Sequence, residues 1–568
     1  MKSPCLLLAA LCLTMAATAQ TICIAHVNMI DVKKNVTLPD QSIIISRDRI
    51  VAIGPGNKVK APADAMIIDG TGKYIMPGMT DAHIHFFQSG GLYTRPDAIN
   101  LIKYHPYQLD QDYVRTHLSD LMARYLACGI TTVIDVGGPM ANFEIRNKAN
   151  IDTAAPTTWV TGPLVSTYLP QRLDEKDPPI VKVTSPEEAR AQVQKELPYK
   201  PDFIKIWYIV YPGHKADSTL PIVKAAIAES HANGLKVAVH ATQLETARLA
   251  VEAGADILVH SVDDEVMDVK MLQLLKEKHI LYIPTLKVMD GYYRTMIQQQ
   301  PFTTHELAYG DPFMLGTLTD LKHMPGAYDY TNTRKSIHVP NKADTIMATN
   351  LKLAQQAGVI VAAGTDAGNI GTLHAASFLE DLLAMQQAGL SNSEIIKDAT
   401  LNAAIGFGKD KDYGSIEKGK IADLILLEND PLKDLQALGN ITMTIHNGKI
   451  FTKEKLLPVT PEILAQQQLN AYNAGNLEAF LAPFSDSVKC YNQTTGQLIF
   501  QGKEAMRKSY APLFKTAPEL HCQVLKRIVS GNTVVDEERV TGIKDKVLTA
   551  VVIYTIDHDK IVKVAMGM

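Results

Sequence analysis

Met76-Pro77-Gly78-Met79-Thr80-Asp81-Ala82-His83-Ile84-His85 closes a run that reads as a strand and ends on two histidines one residue apart. Side chains alternate between the faces of a strand, so His83 and His85 point one way while Ile84 points the other. Two imidazoles converging from one strand end can grip a single divalent cation. The same spacing also fits a plain polar strand terminus. What lies downstream decides between the two.

Downstream, apolar β-type runs alternate with helical patterns. The runs occupy residues 129–135, 158–162, 202–207, 235–240, 255–260, 280–284 and 359–364, and the opening strand brings their number to eight. Near-continuous hydrophobic strands separated by helices predict an α/β fold with a parallel sheet buried on both faces. Eight such units predict closure into a (β/α)8 barrel. Between the fifth and sixth strands, Leu244, Ala247, Arg248, Ala250 and Val251 follow a helical period that Gly254 stops. A long insert near residues 289–342, after the seventh strand, is predicted to cover the barrel mouth.

Both ends of this region carry a different pattern. Residues 22–75 hold short alternating strands at 42–46 and 49–54, and a matching fragment returns at 422–427 and 441–450 with an Asn447-Gly448 turn. We expect residues 20–76 and 421–457 to form one composite β-sandwich, with the barrel over 77–420 between them. Past residue 458 the composition changes again. An amphipathic helical run over 461–482 and a helix over 504–514 precede strands over 520–529, 533–541, 547–556 and 560–566. That order predicts an independent α+β domain over 458–568.

A chain of 568 residues is too long for one ordinary domain. With 46% hydrophobic and 20% charged residues it is a folded globular protein, not a disordered one. A net charge of −4 and the lack of a basic stripe argue against a nucleic-acid partner. The N-terminus reads as a secretory leader over residues 1–19: Met1-Lys2, an apolar run from Leu6 to Ala16, and small residues up to Ala19. That run is too short to span a bilayer, and no later stretch is apolar enough to do so. The expectation is an exported protein, periplasmic or secreted, with no membrane span. Cys5 and Cys12 fall in the leader, and Cys23, Cys128, Cys490 and Cys522 are too few and scattered for a disulfide framework. Cys490 and Cys522 share the last domain, and whether they pair stays open.

Active sites of this fold lie where the strands end at the C-terminal face. His83 and His85 end the first strand, His240 the fifth and His260 the sixth, while Asp366 follows the eighth in Gly364-Thr365-Asp366-Ala367-Gly368. A lone histidine ending a strand is usually a satisfied core residue. Five such groups at one end of different strands form a constellation. Lys205 departs most sharply from local rule, because Phe203-Ile204-Lys205-Ile206-Trp207 should be a buried strand. A buried ammonium must reach solvent, find a counter-ion or change chemically. Reaction with carbon dioxide would make it a carbamate able to bridge two cations; the alternative is a lysine paired with a carboxylate at the barrel mouth.

This set of motifs resembles the amidohydrolase superfamily, in its imidazolonepropionase-like and prolidase-like (Xaa-Pro dipeptidase-like) branch. The resemblance rests on residues 76–85, 202–206, 239–241, 259–260, 364–368 and 419–424, and covers about residues 22–457. It implies that His83 and His85 hold one metal with Asp366, that His240 and His260 hold a second, and that carbamylated Lys205 bridges them. A water shared by two cations ionises near neutrality and furnishes a hydroxide nucleophile. Asp366 then serves as general base and acid. Zinc suits histidine and carboxylate ligands best, and manganese and iron remain compatible.

Substrate contacts are expected from loops after the strands: Tyr168 and Arg172 after the third, Tyr208, Tyr211 and His214 after the fourth, and His374 after the eighth. The implied activity is hydrolysis of amide C–N bonds in dipeptides, N-acyl amino acids or cyclic amides. An esterase or lactonase could use the same site. A barrel that had lost catalysis and served binding or assembly would lack ligands, and none of the six is missing.

The last domain resembles the SnoaL-like, nuclear-transport-factor-like fold, on residues 470–480, 502–505 and the strands that follow. The resemblance implies a helix-flanked, cone-shaped sheet, expected here as an accessory or dimerising module of a homo-oligomer. Asp536, Glu537 and Glu538 read as a solvated strand face.

Overall fold

The computed structural model describes residues 21–170, 172–173, 176–210, 215–324, 342–543 and 546–567. The expected leader, Tyr211, His214 and part of the insert after the seventh strand lie outside these residues.

The chain begins with β1 (Thr21–Asp31), β2 (Val36–Ser46), β3 (Arg49–Pro55), β4 (Met66–Asp69) and β5 (Tyr74–Pro77). One residue separates β5 from the first barrel strand, β6 (Met79–Ile84). That residue is Gly78, and a Cβ there would stand 2.3 Å from the Thr131 hydroxyl. Only glycine lets the chain pass this closely from one sheet to the other.

The remaining barrel strands are β7 (Ile130–Asp135), β8 (Thr157–Val160), β9 (Leu164–Ser166), β10 (Ile180–Lys182), β11 (Ile204–Trp207), β12 (Val237–His240), β13 (Ile257–Val259), β14 (Leu281–Ile283) and β15 (Ile360–Val361). All pair in parallel, in ladders β6-β7-β8 and β10-β9-β11-β12-β13-β14-β15. Two seams join the ladders into a barrel. At one, Ala82 N donates to Ala363 O at 3.0 Å and His85 N to Ala367 O at 2.8 Å. At the other, Asp202 N donates to Val160 O at 3.0 Å, and the Asp202 carboxylate accepts from Val160 N at 2.9 Å. The interior is filled by Ala82, Ile134, Phe203, Ala238, Ile257, Leu281 and Ile283, a packed core rather than a pore. The helix Leu244–Ala253 ends on Gly254 at φ +108°.

After the barrel the chain returns through β16 (Leu424–Leu427), β17 (Ile441–His446) and β18 (Lys449–Phe451). β16 pairs with β5, so strands from both flanks of the barrel share one eight-stranded sheet, ordered β18-β17-β16-β5-β1-β2-β3 with β4 on β1. Asn447 and Gly448, at φ +48° and +71°, make the tight turn between β17 and β18. Its core, including Ile22, Ile43, Ile75, Leu424 and Ile445, is separate from that of the barrel.

The C-terminal domain holds helices Pro461–Asn473, Leu477–Leu481 and Lys503–Thr516, and strands β19 (Phe484–Asn492), β20 (Leu498–Gln501), β21 (His521–Ser530), β22 (Thr533–Ile543), β23 (Lys546–Asp557) and β24 (Lys560–Gly567). They form one sheet, ordered β20-β19-β24-β23-β22-β21. Three sequence expectations need correction here. The helical run over 461–482 is broken at Gly475, which takes φ +64°, and Asn476 caps the next helix. β19 and β20 were not foreseen, because Ser485, Asp486, Ser487 and Lys489 hide the apolar alternation of Phe484, Val488 and Cys490. Asp536 and Glu538 are buried, and only Glu537 of that trio is exposed. The cysteines Cys490 and Cys522 are both free. The helix Pro461–Asn473 docks on the insert, where Asn470 donates to Pro312 O at 2.7 Å. Among the described residues, no helix is long and apolar enough to cross a membrane.

Asp202 also meets Arg146 at 3.3 Å, so one side chain ties two barrel strands and a neighbouring helix. Asp202→Ala is expected to destabilise the chain by about 1–3 kcal/mol, seen as a lower melting temperature, because the Val160 amide loses its acceptor. Asp202→Asn, which keeps an acceptor oxygen, should recover most of the loss.

Candidate metal centre

The C-terminal ends of the barrel strands open into a cavity of about 570 Å3. His83 lies within β6 and His85 just past it, both buried. Their Nε2 atoms stand 3.3 Å apart. Asp366 Oδ1 lies 3.4 Å from the first and 3.1 Å from the second. His85 Nδ1 donates to the Gly137 carbonyl at 2.6 Å, which leaves the lone pair on Nε2. Asp366 Oδ1 is buried and receives no hydrogen bond. Ligand atoms of His83, His85 and Asp366 all lie within 4.8 Å of one another. Lone pairs gathered this closely repel, and a divalent cation among them removes the conflict. The residues therefore fit a metal.

The other two imidazoles continue the same cluster. The His83 ring centre lies 4.8 Å from that of His260, which lies 4.4 Å from that of His240. Lys205, on β11, is 1% exposed and lines the cavity with them. Burial pulls its pKa down to about 7, while the Asp366 carboxylate acts in the opposite direction. Burial, reinforced by Lys205 and neighbouring imidazoles, holds His83, His240 and His260 well below the ordinary histidine range. These rings are uncharged at neutral pH, the form that binds metal.

Backbone strain marks the same place. Asp366 takes φ +61°, His260 φ +74° and Thr285 φ +45°. Such left-handed conformations cost on the order of 1–3 kcal/mol each and persist only where the surroundings impose them. Asp366 N donates to His83 O at 2.7 Å, and Thr285 Oγ1 meets His260 Nδ1 at 2.9 Å. Gly368, at φ +104°, lets the loop pass where a Cβ would stand 2.5 Å from His85 O.

Two carboxylates behind the cluster had no role assigned from sequence. Asp81 accepts from Thr365 N at 3.0 Å, Thr365 Oγ1 at 2.7 Å and His83 N at 3.3 Å, tying β6 to the loop that carries Asp366. Burial pushes its pKa up to about 8. Asp135 accepts from Phe86 N and Gly137 N, each at 3.1 Å, and from Asn142 at 2.7 Å. It thereby fixes the carbonyl that orients His85. The available signals were Asp81 sharing a strand face with His83, and Asp135 ending an apolar run.

The expected substrate contacts fare differently. Tyr168 stands behind Trp207, its ring centre 5.9 Å away, and Trp207 is the residue that lines the cavity. Arg172 is exposed and donates to Pro96 O at 3.3 Å, outside the lining. Tyr208 is buried away from the cavity, its hydroxyl donating to Ala216 O at 2.7 Å. His374 is buried beneath the site, stacked on Phe86 and hydrogen-bonded to Tyr125 at 2.7 Å and Gln88 O at 2.8 Å. Apolar burial, not loop exposure, explains both of these last placements. Arg95, unforeseen, lines the cavity with its guanidinium held by Asp97 at 2.8 and 2.7 Å and by Asn369 at 2.6 Å.

The fold agrees with comparison to known proteins. The profile of the amidohydrolase family matches residues 74–451, and that of the SnoaL-like domain residues 465–564. The chain belongs to the amidohydrolase family. An imidazolonepropionase of Alkaliphilus metalliredigens (strain QYMF) is 22% identical over 458 residues, covering 74% of this chain and 92% of that protein. An enamidase of Eubacterium barkeri is 32% identical over 125 residues, but this match covers 22% of the chain and 26% of the enamidase. A crystal structure of a Xaa-Pro dipeptidase with methionine bound in its active site superposes with a TM-score of 0.58 at 22% identity, covering 76% of this chain and all of the other. At that identity the likeness establishes the fold alone.

Asp81→Ala is expected to weaken metal retention by about 10–100-fold in chelator-competition titrations, the usual cost of losing a residue that orients a ligand. Asp81→Asn should retain most of the affinity. Undiminished retention in the alanine variant would show that Asp81 does not position His83 and Asp366.

Proposed function

We propose that this chain hydrolyses amide C–N bonds of small substrates at the barrel mouth. His83, His85 and Asp366 would hold one divalent cation, His240 and His260 a second, with a carbamate on Lys205 between them. The observation that carries this reading is the convergence of six such groups, from the ends of five barrel strands, around one cavity. Zinc suits the ligand set best, and manganese or iron would also be accepted.

Lys205 itself supports the carbamate reading. A buried ammonium amid uncharged imidazoles is unfavourable, and burial shifts the group towards its free amine. The ammonium would first give up one proton. The amine nitrogen would then add to the carbon of carbon dioxide as one C=O π pair moves onto oxygen, and a second nitrogen proton would leave to solvent. A buried cation becomes an anion facing two cation sites, which reverses the sign of the electrostatics. When bound, the metals supply Lewis acidity to the scissile carbonyl and lower the pKa of water.

Asp366 would be the residue that moves the proton. Its Oδ2 lies 3.8 Å from His260 Nδ1 and faces the cavity, where it can take a proton from the attacking water and pass it to the leaving nitrogen. Trp207, Leu164, Leu173, Ile180 and Met296 line the wall beyond it. That wall supports substrates carrying an apolar group beside the scissile bond. Arg95 is already neutralised by Asp97, so it does not supply an unpaired charge for a substrate carboxylate.

Metal analysis of the purified protein should find about two equivalents of divalent metal per chain, since ligand sets of this kind couple binding to structure. Lys205→Ala should lose one of them together with most turnover on N-acyl amino acids or dipeptides. Unchanged metal content and unchanged turnover would remove the bridging role.

A further inference from the structure

The C-terminal domain encloses a second cavity, of about 180 Å3, between its sheet and helices. Alternation along β22 turns Val534, Asp536 and Glu538 inward. The two carboxylates meet different fates. Asp536 is clamped by Arg527 from β21 through hydrogen bonds of 2.8 and 2.7 Å, and Arg527 also donates to Gln466 at 2.7 Å. Glu538 has no such clamp. Its Oε1 accepts from the Tyr554 hydroxyl at 2.9 Å, which in turn accepts from Gln468 at 2.9 Å, and the Cys522 thiol supports it from β21.

Among the described residues, Glu538 is the one carboxyl lining this cavity, and no lysine, arginine or histidine lines it. The wall around it carries the rings of Tyr472, Phe480, Phe484, Phe500 and Tyr510. Arg527 acts on Glu538 only through space, because its guanidinium is bonded to Asp536. A carboxylate without a bonded cation is costly in apolar surroundings. Aromatic faces, for their part, attract cations. One ligand type answers both: an ammonium ion on an apolar body. The size agrees as well, since a cavity of about 150 Å3 holds benzene and this one leaves room for one more small group.

We propose that the cavity of the C-terminal domain binds a small apolar amine as its ammonium ion, with the charge on Glu538 and the hydrocarbon against the aromatic wall. The inference stands on this cavity alone and is independent of the metal reading. It has a pH signature with a definite sign. Burial raises the Glu538 carboxyl to about 7, against the donors Tyr554 and Cys522. The ammonium needs the ionised carboxylate, so affinity rises as pH rises through about 7. A neutral ligand accepting the carboxyl proton would show the opposite slope. The other groups facing Glu538 are Cys522 and Arg527 from β21, Asp536 on its own strand, Tyr554 from β23, and Tyr472 and Tyr510 from the helices. Burial pushes the thiol and all three phenols upward, away from this window.

The test is calorimetric titration of the full-length protein with benzylamine and with its neutral analogue benzyl alcohol, at about pH 6 and about pH 8. Benzylamine should bind about tenfold or more tightly than the alcohol, and several-fold more tightly at the higher pH. Glu538→Gln should abolish the preference for the amine. Ala550→Phe, which fills the cavity without touching its charge, should abolish binding altogether. Binding of benzylamine in the barrel would survive both substitutions. The proposal is overturned by an unchanged Glu538→Gln variant, by equal affinity for the alcohol, by the opposite pH slope, or by no binding at millimolar benzylamine.

Discussion

The structure depends on how the first barrel strand is sewn to the loop after the last one. Ala82 bonds to Ala363, Asp366 to His83 and His85 to Ala367, all through the backbone. The same three bonds that close this one of the barrel's two seams also bring Asp366 beside two imidazoles. Closure and site assembly are therefore one event. Asp81 reinforces it from behind, since its carboxylate takes donors from both sides of the seam.

That arrangement gathers polar groups where burial is expensive. The interior below is apolar, so the imidazoles, Lys205 and Asp366 answer chiefly to one another. Uncharged histidines, an amine shifted towards its free base and a carboxylate oxygen without a donor make a site whose electrostatics are incomplete by design. The left-handed conformations of Asp366 and His260 show the backbone sharing in that constraint. A packed barrel supplies the rigidity that holds them there.

Much of this was legible in the sequence because it is periodic. Alternation put His83 and His85 on one face, and β-branched runs between helices marked the eight expected barrel strands. The short β9 and β10, between the third and fourth of these, carry no such run and were missed. Lys205 stood out because a charged residue broke an apolar run. Illegible features were those set by contacts distant in sequence. The seam partners of Asp81 and Asp202 lie on other strands, and nothing local announces them. Loop residues such as Tyr208 and His374 looked like substrate contacts because loops usually face solvent, yet here they point into the core. Asp536 and Glu538 looked solvated because acidic strand residues usually are; their partners Arg527 and Tyr554 come from the flanking strands.

The sheet shared by β5 and β16 has a bearing on how the chain is made. During synthesis the edge of β5 emerges early and stays without its neighbour until the far flank of the barrel leaves the ribosome. A ribosome-bound fragment stopping short of residue 424 would carry an apolar edge open to pairing with other nascent chains. The small sheet is thus a clasp whose two halves meet only once the barrel between them has been made.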